Sequence, residues 1–204
     1  MKRDFVIRLA LALLLPAALL APAGPAAARG TTFEEVAAPE PEPQAGNIGV
    51  NGFFSVDRAQ QGSSFQAAVV MDIPGGLHVN ANRPLGKYSV PTVVKVDAPR
   101  GFRVTPVTYP RGSVRTFSFG GAEATRIAVY EGRTVFRFNV SVPAGQPFGV
   151  ETVRVSVRFQ SCTDEVCYPP ATRNLELHIG VVGRDAAVNR INGQYFGGGG
   201  RRKR

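Results

Sequence analysis

Apolar and polar residues alternate with a period of two through most of the stretch from Asn47 to Val182. The pattern is strictest in Val153-Arg154-Val155-Ser156-Val157-Arg158-Phe159-Gln160, and Leu175-Glu176-Leu177-His178-Ile179 repeats it. Phe136, Phe138, Val140 and Val142 alternate in the same way with Arg137, Asn139 and Ser141. Successive side chains of a strand point to opposite faces, so these runs predict strands with one face on a core. Phe65 to Met71 is a further β-rich run, closed by the turn sequence Ile73-Pro74-Gly75-Gly76. Thr92 to Val96 and Phe102 to Val107 are bounded by proline or glycine, and Ile127 to Tyr130 leads into Glu131-Gly132, read as a hairpin turn. Strands at this spacing, with scarcely any helical periodicity, predict an all-β chain. The expected architecture is an immunoglobulin-like antiparallel β-sandwich over residues 47–182, with disordered termini.

The ends read differently. Lys2, Arg3 and Arg8 precede an apolar run from Leu9 to Leu20, and Pro25-Ala26-Ala27-Ala28 offers a small-residue cleavage site. Residues 1–28 are therefore expected to be a signal peptide cleaved near Ala28. A membrane anchor fits less well, because 12 apolar residues fall short of the roughly 20 that span a bilayer. Residues 29–46, with Pro39-Glu40-Pro41-Glu42-Pro43, alternate proline with acid and predict a linker. Residues 183–204 predict a flexible glycine-rich basic tail. The formal charge of +9 divides into +2 in the signal, +4 in Arg201-Arg202-Lys203-Arg204 and +3 between. The sandwich itself is thus only mildly basic, and no nucleic-acid partner is expected. After signal removal the protein is expected to be soluble and periplasmic or secreted, without a stable membrane anchor.

Export changes the meaning of the two cysteines, Cys162 and Cys167, which are separated by four residues. In an oxidising compartment a disulfide persists. Closing a loop of about six residues stabilises a fold by only roughly 2 kcal/mol, and the sandwich is large enough to bury a self-sufficient core. A bridge that contributes so little suits redox chemistry. Continuing the strand phase past Phe159 places Cys162 on the outer face with Arg154, Arg158 and Gln160. The pair is then expected at the tip of a strand pair, outside the core. Asp164 and Glu165 between the thiols disfavour a thiolate, and Arg158 or Arg173 would offset them if folded over the loop. Tyr168-Pro169-Pro170 stiffens the exit, since proline fixes φ and donates no ladder hydrogen bond.

Val157-Arg158-Phe159-Gln160-Ser161-Cys162, four residues, then Cys167-Tyr168-Pro169-Pro170 resembles the active-site segment of the N-terminal periplasmic domain of the DsbD thiol:disulfide interchange reductase family. Gly76-Leu77-His78-Val79-Asn80-Ala81-Asn82 is similar to an upstream motif of that family. Phe117-Ser118-Phe119-Gly120-Gly121, followed by Val129-Tyr130-Glu131-Gly132, is similar to its cap-loop region. The resemblance covers residues 47–182. It implies a thiol:disulfide oxidoreductase component that passes electrons through a Cys162–Cys167 dithiol/disulfide, with no cofactor. Cys167 would form the mixed disulfide with a partner and Cys162 would resolve it. Phe119, with Phe117 as the fallback, would shield the pair. The implied partners are thioredoxin-like periplasmic proteins of the disulfide isomerase or cytochrome c maturation type. The reductase of the family continues into a membrane conduit and a thioredoxin-like domain, so a separate membrane reductase is the expected donor. The spacing departs from members that have five residues between the cysteines.

Two other readings compete. A non-enzymatic secreted sandwich could bind another protein and keep the bridge as a local structural disulfide. Cys162, Cys167, His78 and His178 could in principle hold zinc, but His178 shares the outer face with Glu176 and no second close ligand pair exists. Both histidines are read as satisfied surface residues.

Overall fold

The computed structural model describes residues 48–86, 89–118 and 123–197. Twelve strands run through the described residues: β1 (Gly49–Phe54), β2 (Arg58–Gln60), β3 (Ser64–Ile73), β4 (His78–Asn80), β5 (Val93–Asp97), β6 (Arg103–Val104), β7 (Ser113–Phe117), β8 (Thr125–Tyr130), β9 (Gly132–Ser141), β10 (Gly149–Phe159), β11 (Ser161–Cys162) and β12 (Ala171–Val182). They form an immunoglobulin-like sandwich of two large sheets, ordered β1-β3-β9-β6 and β2-β12-β10-β5, with a smaller third sheet, β11-β4-β8-β7.

The alternation seen in the sequence builds the core directly. Phe136, Phe138 and Val140 of β9 and Val153, Val155, Val157 and Phe159 of β10 are buried in one cluster with Phe65, Val69 and Met71 of β3. β10 and β12 pair antiparallel without interruption from Gly149↔Val181 to Phe159↔Ala171. The cysteine segment is therefore the connection at one end of the longest hairpin in the fold.

Four local expectations change. β2 pairs with β12 in parallel, Arg58 to Gly180 through Gln60 to Val182, so the sandwich is not wholly antiparallel. The strand expected over 102–107 shrinks to Arg103–Val104, because Pro106 has no N–H to donate; the ladder resumes where Thr108 donates to the Arg137 carbonyl at 2.7 Å. Glu131-Gly132 is not a hairpin turn. β8 pairs with β4 and β7, β9 pairs with β3 and β6, and Gly132 at φ 60° turns the chain from one sheet into another, a conformation glycine adopts freely.

The fourth change concerns residues 183–197, assigned above to a flexible tail. They return across the outer face of the first sheet. Asp57 accepts both the backbone N–H of Asn189 at 2.9 Å and its side-chain amide at 2.8 Å. Asn192 donates to the Phe54 carbonyl at 3.0 Å, and Tyr195 stacks on Phe53 with ring centroids 4.3 Å apart. Arg137 Nε donates to the Tyr195 carbonyl at 2.6 Å. Phe53, Ala68 and Arg137 stand opposite one another on β1, β3 and β9, so they share this outer face. Composition alone hid the segment, because its anchors are single residues rather than a periodic run. The signal and linker expected over 1–46 and the terminal basic tetrad lie outside the described residues.

Candidate functional site

Cys162 and Cys167 form a disulfide with their Cα atoms 4.0 Å apart. The sequence closes this loop by local hydrogen bonding. Thr163 donates its N–H to the Val166 carbonyl at 2.8 Å, and Tyr168 donates to the Ser161 carbonyl at 2.9 Å. Thr163 Oγ1 accepts the N–H groups of Glu165 at 3.2 Å and Val166 at 3.0 Å, the hydroxyl turn that Ser and Thr favour. The two backbone bonds flank the cysteines, which leaves Cys162 and Cys167 as a narrow, non-hydrogen-bonded pair of a small antiparallel ribbon. Neither cysteine takes part in these two flanking hydrogen bonds.

The two cysteines differ in exposure. Cys162 is 0 % exposed, whereas Cys167 is an exposed residue. The outer-face placement inferred for Cys162 is thus corrected. At Gln160 the chain leaves the β10 ladder, and Ser161–Cys162 pairs instead with β4, Ser161 to Val79 and Cys162 to His78. That switch of partner resets the phase carried forward from β10. Cys162 is fully buried, although the larger apolar cluster among the described residues does not include it. Its side of the third sheet carries a separate small cluster, Phe117, Ile127 and Val129.

Gln160 holds the switch in place. Its Oε1 accepts from Asn80 Nδ2 at 3.0 Å and from the Val90 N–H at 3.3 Å. Its Nε2 donates to the Tyr168 carbonyl at 3.1 Å, and its own carbonyl accepts the Asn80 N–H at 3.1 Å. One side chain therefore ties β4, the segment around Val90 and the exit of the cysteine loop together. Sequence reasoning placed Gln160 on the outer face with the arginines. Its position as the last residue of a strict alternation, just before Ser-Cys, was the available signal.

Sequence reasoning also misplaced His78. It is 2 % exposed, not a satisfied surface histidine, and it stands directly across from Cys162. Its ring stacks on Phe117 at 4.2 Å between centroids. Nδ1 lies 4.0 Å from Asp164 Oδ1, on a side chain that is 78 % exposed, and among the described residues Nε2 has no hydrogen-bond partner. Burial pushes the His78 pKa below its ordinary 6.5; the negative charges of Asp164 and Glu131 oppose that, and Arg115 adds to it. Asp164 thus faces the imidazole across the loop.

The remaining candidates separate. Phe117 is buried, 5 % exposed, in the small cluster, while Phe119, the preferred shielding residue, lies outside the described residues. Tyr168 carries two of the loop's hydrogen bonds, one through its N–H and one through its carbonyl, and Pro169 and Pro170 are exposed ahead of β12. Arg173 does not reach over the cysteines; its guanidinium sits 5.9 Å from the Phe159 ring centroid. His178 is on the outer face, within hydrogen-bond distance of Thr152 Oγ1 at 3.0 Å, away from the zinc set considered above. Among the described residues, no helix is long and apolar enough to cross a membrane.

An immunoglobulin-like sandwich that carries a disulfide in a surface ribbon, one sulfur-bearing residue buried and the other exposed, has the build of a thiol–disulfide exchange domain. Residues 50–179 match the family described as thiol:disulfide interchange protein DsbD, N-terminal, and the chain belongs to that family. Among solved structures it is similar to the reduced DsbD N-terminal domain of Neisseria meningitidis, with 16 % identity over 74 % of this chain and 94 % of that one, at a TM-score of 0.40. It is also similar to the N-terminal periplasmic domain of ScsB from Proteus mirabilis, with 11 % identity over 69 % of this chain and 49 % of that one, at 0.43. A third similarity is to the complex between the DsbD N-terminal and PilB N-terminal domains of Neisseria meningitidis, with 18 % identity over 60 % of this chain and 80 % of that one, at 0.37. No curated protein matches the sequence.

Proposed function

We propose that the Cys162–Cys167 pair shuttles two electrons between a separate membrane reductase and oxidised thioredoxin-like proteins of the periplasm. In the reduced form the Cys167 thiolate attacks the partner disulfide. One partner sulfur leaves as a thiolate, and a Cys167–partner mixed disulfide forms. Cys162 then attacks Cys167 Sγ, releases the second partner thiolate and regenerates the Cys162–Cys167 bond. Two electrons pass to the partner, and its two thiolates take up the two protons that the cysteines lose. A donor thiol reverses the sequence.

The observation that carries this reading is the unequal exposure of the pair. Cys167 is exposed and Cys162 is closed off, which supports mixed-disulfide formation at Cys167 and resolution by Cys162. Phe119, with Phe117 as the fallback, is proposed as the shield of the pair, and Tyr168-Pro169-Pro170 as the segment that keeps the ribbon stiff while the bond opens. The complex of related domains, DsbD N-terminal with PilB N-terminal, is in keeping with a protein partner. The proposed setting is the periplasm, reached with residues 1–28 as a removed signal and 29–46 as a linker, and cytochrome c assembly is one process such an exchange would serve.

Trapping tests it. Cys162→Ser, expressed in an exporting host, is expected to accumulate Cys167 mixed disulfides with thioredoxin-fold proteins, seen as reductant-sensitive bands and identified by mass spectrometry. Cys167→Ser is expected to trap nothing. Empty lanes for both variants, or capture through Cys162 alone, contradict the assignment.

A further inference from the structure

Resolution requires Cys162 to become a nucleophile in a place where water does not reach it. A desolvated thiol resists ionisation, and only the thiolate attacks a disulfide. The chain must therefore supply a proton acceptor beside Cys162, and one side chain in the described site fits. β4 sets His78 directly opposite Cys162. Residues opposite one another in an antiparallel pair point to the same side of the sheet, with Cα atoms about 5 Å apart. Among the described residues, Nε2 of this 2 % exposed imidazole has no hydrogen-bond partner. A buried polar atom left unpaired is costly, and a redox or catalytic role is one explanation for it. Nδ1 is turned to the Asp164 carboxylate at 4.0 Å, and Phe117 covers the ring at 4.2 Å. A proton on Nδ1, facing Asp164, leaves the Nε2 lone pair free.

We propose that His78 is the acid–base partner of Cys162. In the mixed-disulfide state His78 accepts the Cys162 proton, and the new thiolate attacks Cys167 Sγ. The Cys167–partner bond breaks, and the partner leaves as a thiolate that takes its proton from solvent. His78 returns its proton to solvent past Asp164. In the reverse direction, when a donor opens the disulfide at Cys167, Cys162 leaves as a thiolate and His78 supplies its proton. The charged groups facing the imidazole are Asp164 from the loop, Glu131 after β8 and Arg115 from β7. Glu131 is held by Arg115 at 2.9 Å, which leaves Asp164 as the carboxylate available to a protonated His78. This role rests on the exchange reading above.

The reduced full chain reacted with 5,5′-dithiobis(2-nitrobenzoate) separates the two steps. Cys167 attack releases one thionitrobenzoate at a rate proportional to reagent. Cys162 resolution releases the second at a rate independent of reagent. The wild-type resolution rate is expected to titrate with a midpoint below the ordinary thiol value of about 8.5. His78→Gln is expected to leave the first release unchanged and to slow the second about 30-fold near pH 7, the shortfall in ionisation of a thiol of pKa about 8.5. The loss should disappear above that pH. Asp164→Asn, on the surface, is expected to slow the same step about twofold, and it tests the role if His78→Gln does not fold. A first release that occurs normally, followed by a wild-type resolution midpoint at or above about 8.5, or by an unaltered profile in the variants, overturns the His78 role alone. Absence of the first release overturns the exchange reading and this role together.

Discussion

Histidine burial ties the site to stability as well as to chemistry. The folded chain holds His78 below its ordinary pKa of 6.5, chiefly by desolvation, so the unfolded chain binds its proton more readily. Stability conferred by neutral His78 is therefore complete above pH 6.5 and is lost as the pH falls toward the lower folded-state value. Urea midpoints measured from about pH 7 down to about pH 5 are expected to decline. His78→Phe, which keeps an aromatic ring against Phe117, should flatten that decline. An equal slope in the variant would place the pH dependence elsewhere. The histidine itself was visible in Gly76-Leu77-His78-Val79-Asn80, but its environment was not. Nothing local to those residues says that β11, some eighty positions later in the chain, pairs with them.

At the scale of strands, legibility followed periodicity. β9, β10 and β12 alternate strictly enough to give their inward faces in advance, and their ladders run in the expected antiparallel sense. Two of the misreadings fall where the chain changes sheets. At Glu131-Gly132 it leaves the third sheet for the first, and at Gln160 it leaves β10 for β4. Each junction consists of one or two residues whose local sequence equally suits a simple turn or a continued strand. A switch is defined by distant partners, which period-two patterning does not encode. The second switch is what gives the two cysteines different surroundings. It also brings Cys162 to the side of the third sheet covered by Phe117 of β7. Phe117→Ala is expected to cost about 3 kcal/mol in stability, the lower range for a buried Phe. It should also speed reduction of the disulfide by dithiothreitol about fivefold through easier access to the Cys162 side. Unfolding in urea and the rate of thiol appearance measure the two effects. A stability loss with an unchanged reduction rate would assign Phe117 to packing only.

Over the whole molecule, the apolar core and the disulfide make separate contributions. The core spans both large sheets, from Phe65 and Met71 through Phe136 to Val155 and Ile179. The bridge closes a sequence separation of 5, which stabilises the fold by only about 2 kcal/mol. Residues 183–197 add a cover on the opposite side of the first sheet, through Asp57, Phe53 and Arg137. The class of fold was thus readable from patterning, and the closeness of the two cysteines from their spacing. The returning C-terminal segment was not, because isolated anchors leave no periodic trace. Native-state reduction tests the central claim, an openable bond on a fold that stands without it. Dithiothreitol added to the folded protein, with thiols counted by alkylation and mass spectrometry and the fold followed by amide resonances, is expected to free both cysteines. Resonances should shift only around residues 160–170 and β4, and the melting temperature should fall by less than about 10 °C. A bond that resists reductant until the chain denatures, or a native spectrum lost as the bond opens, would contradict the account.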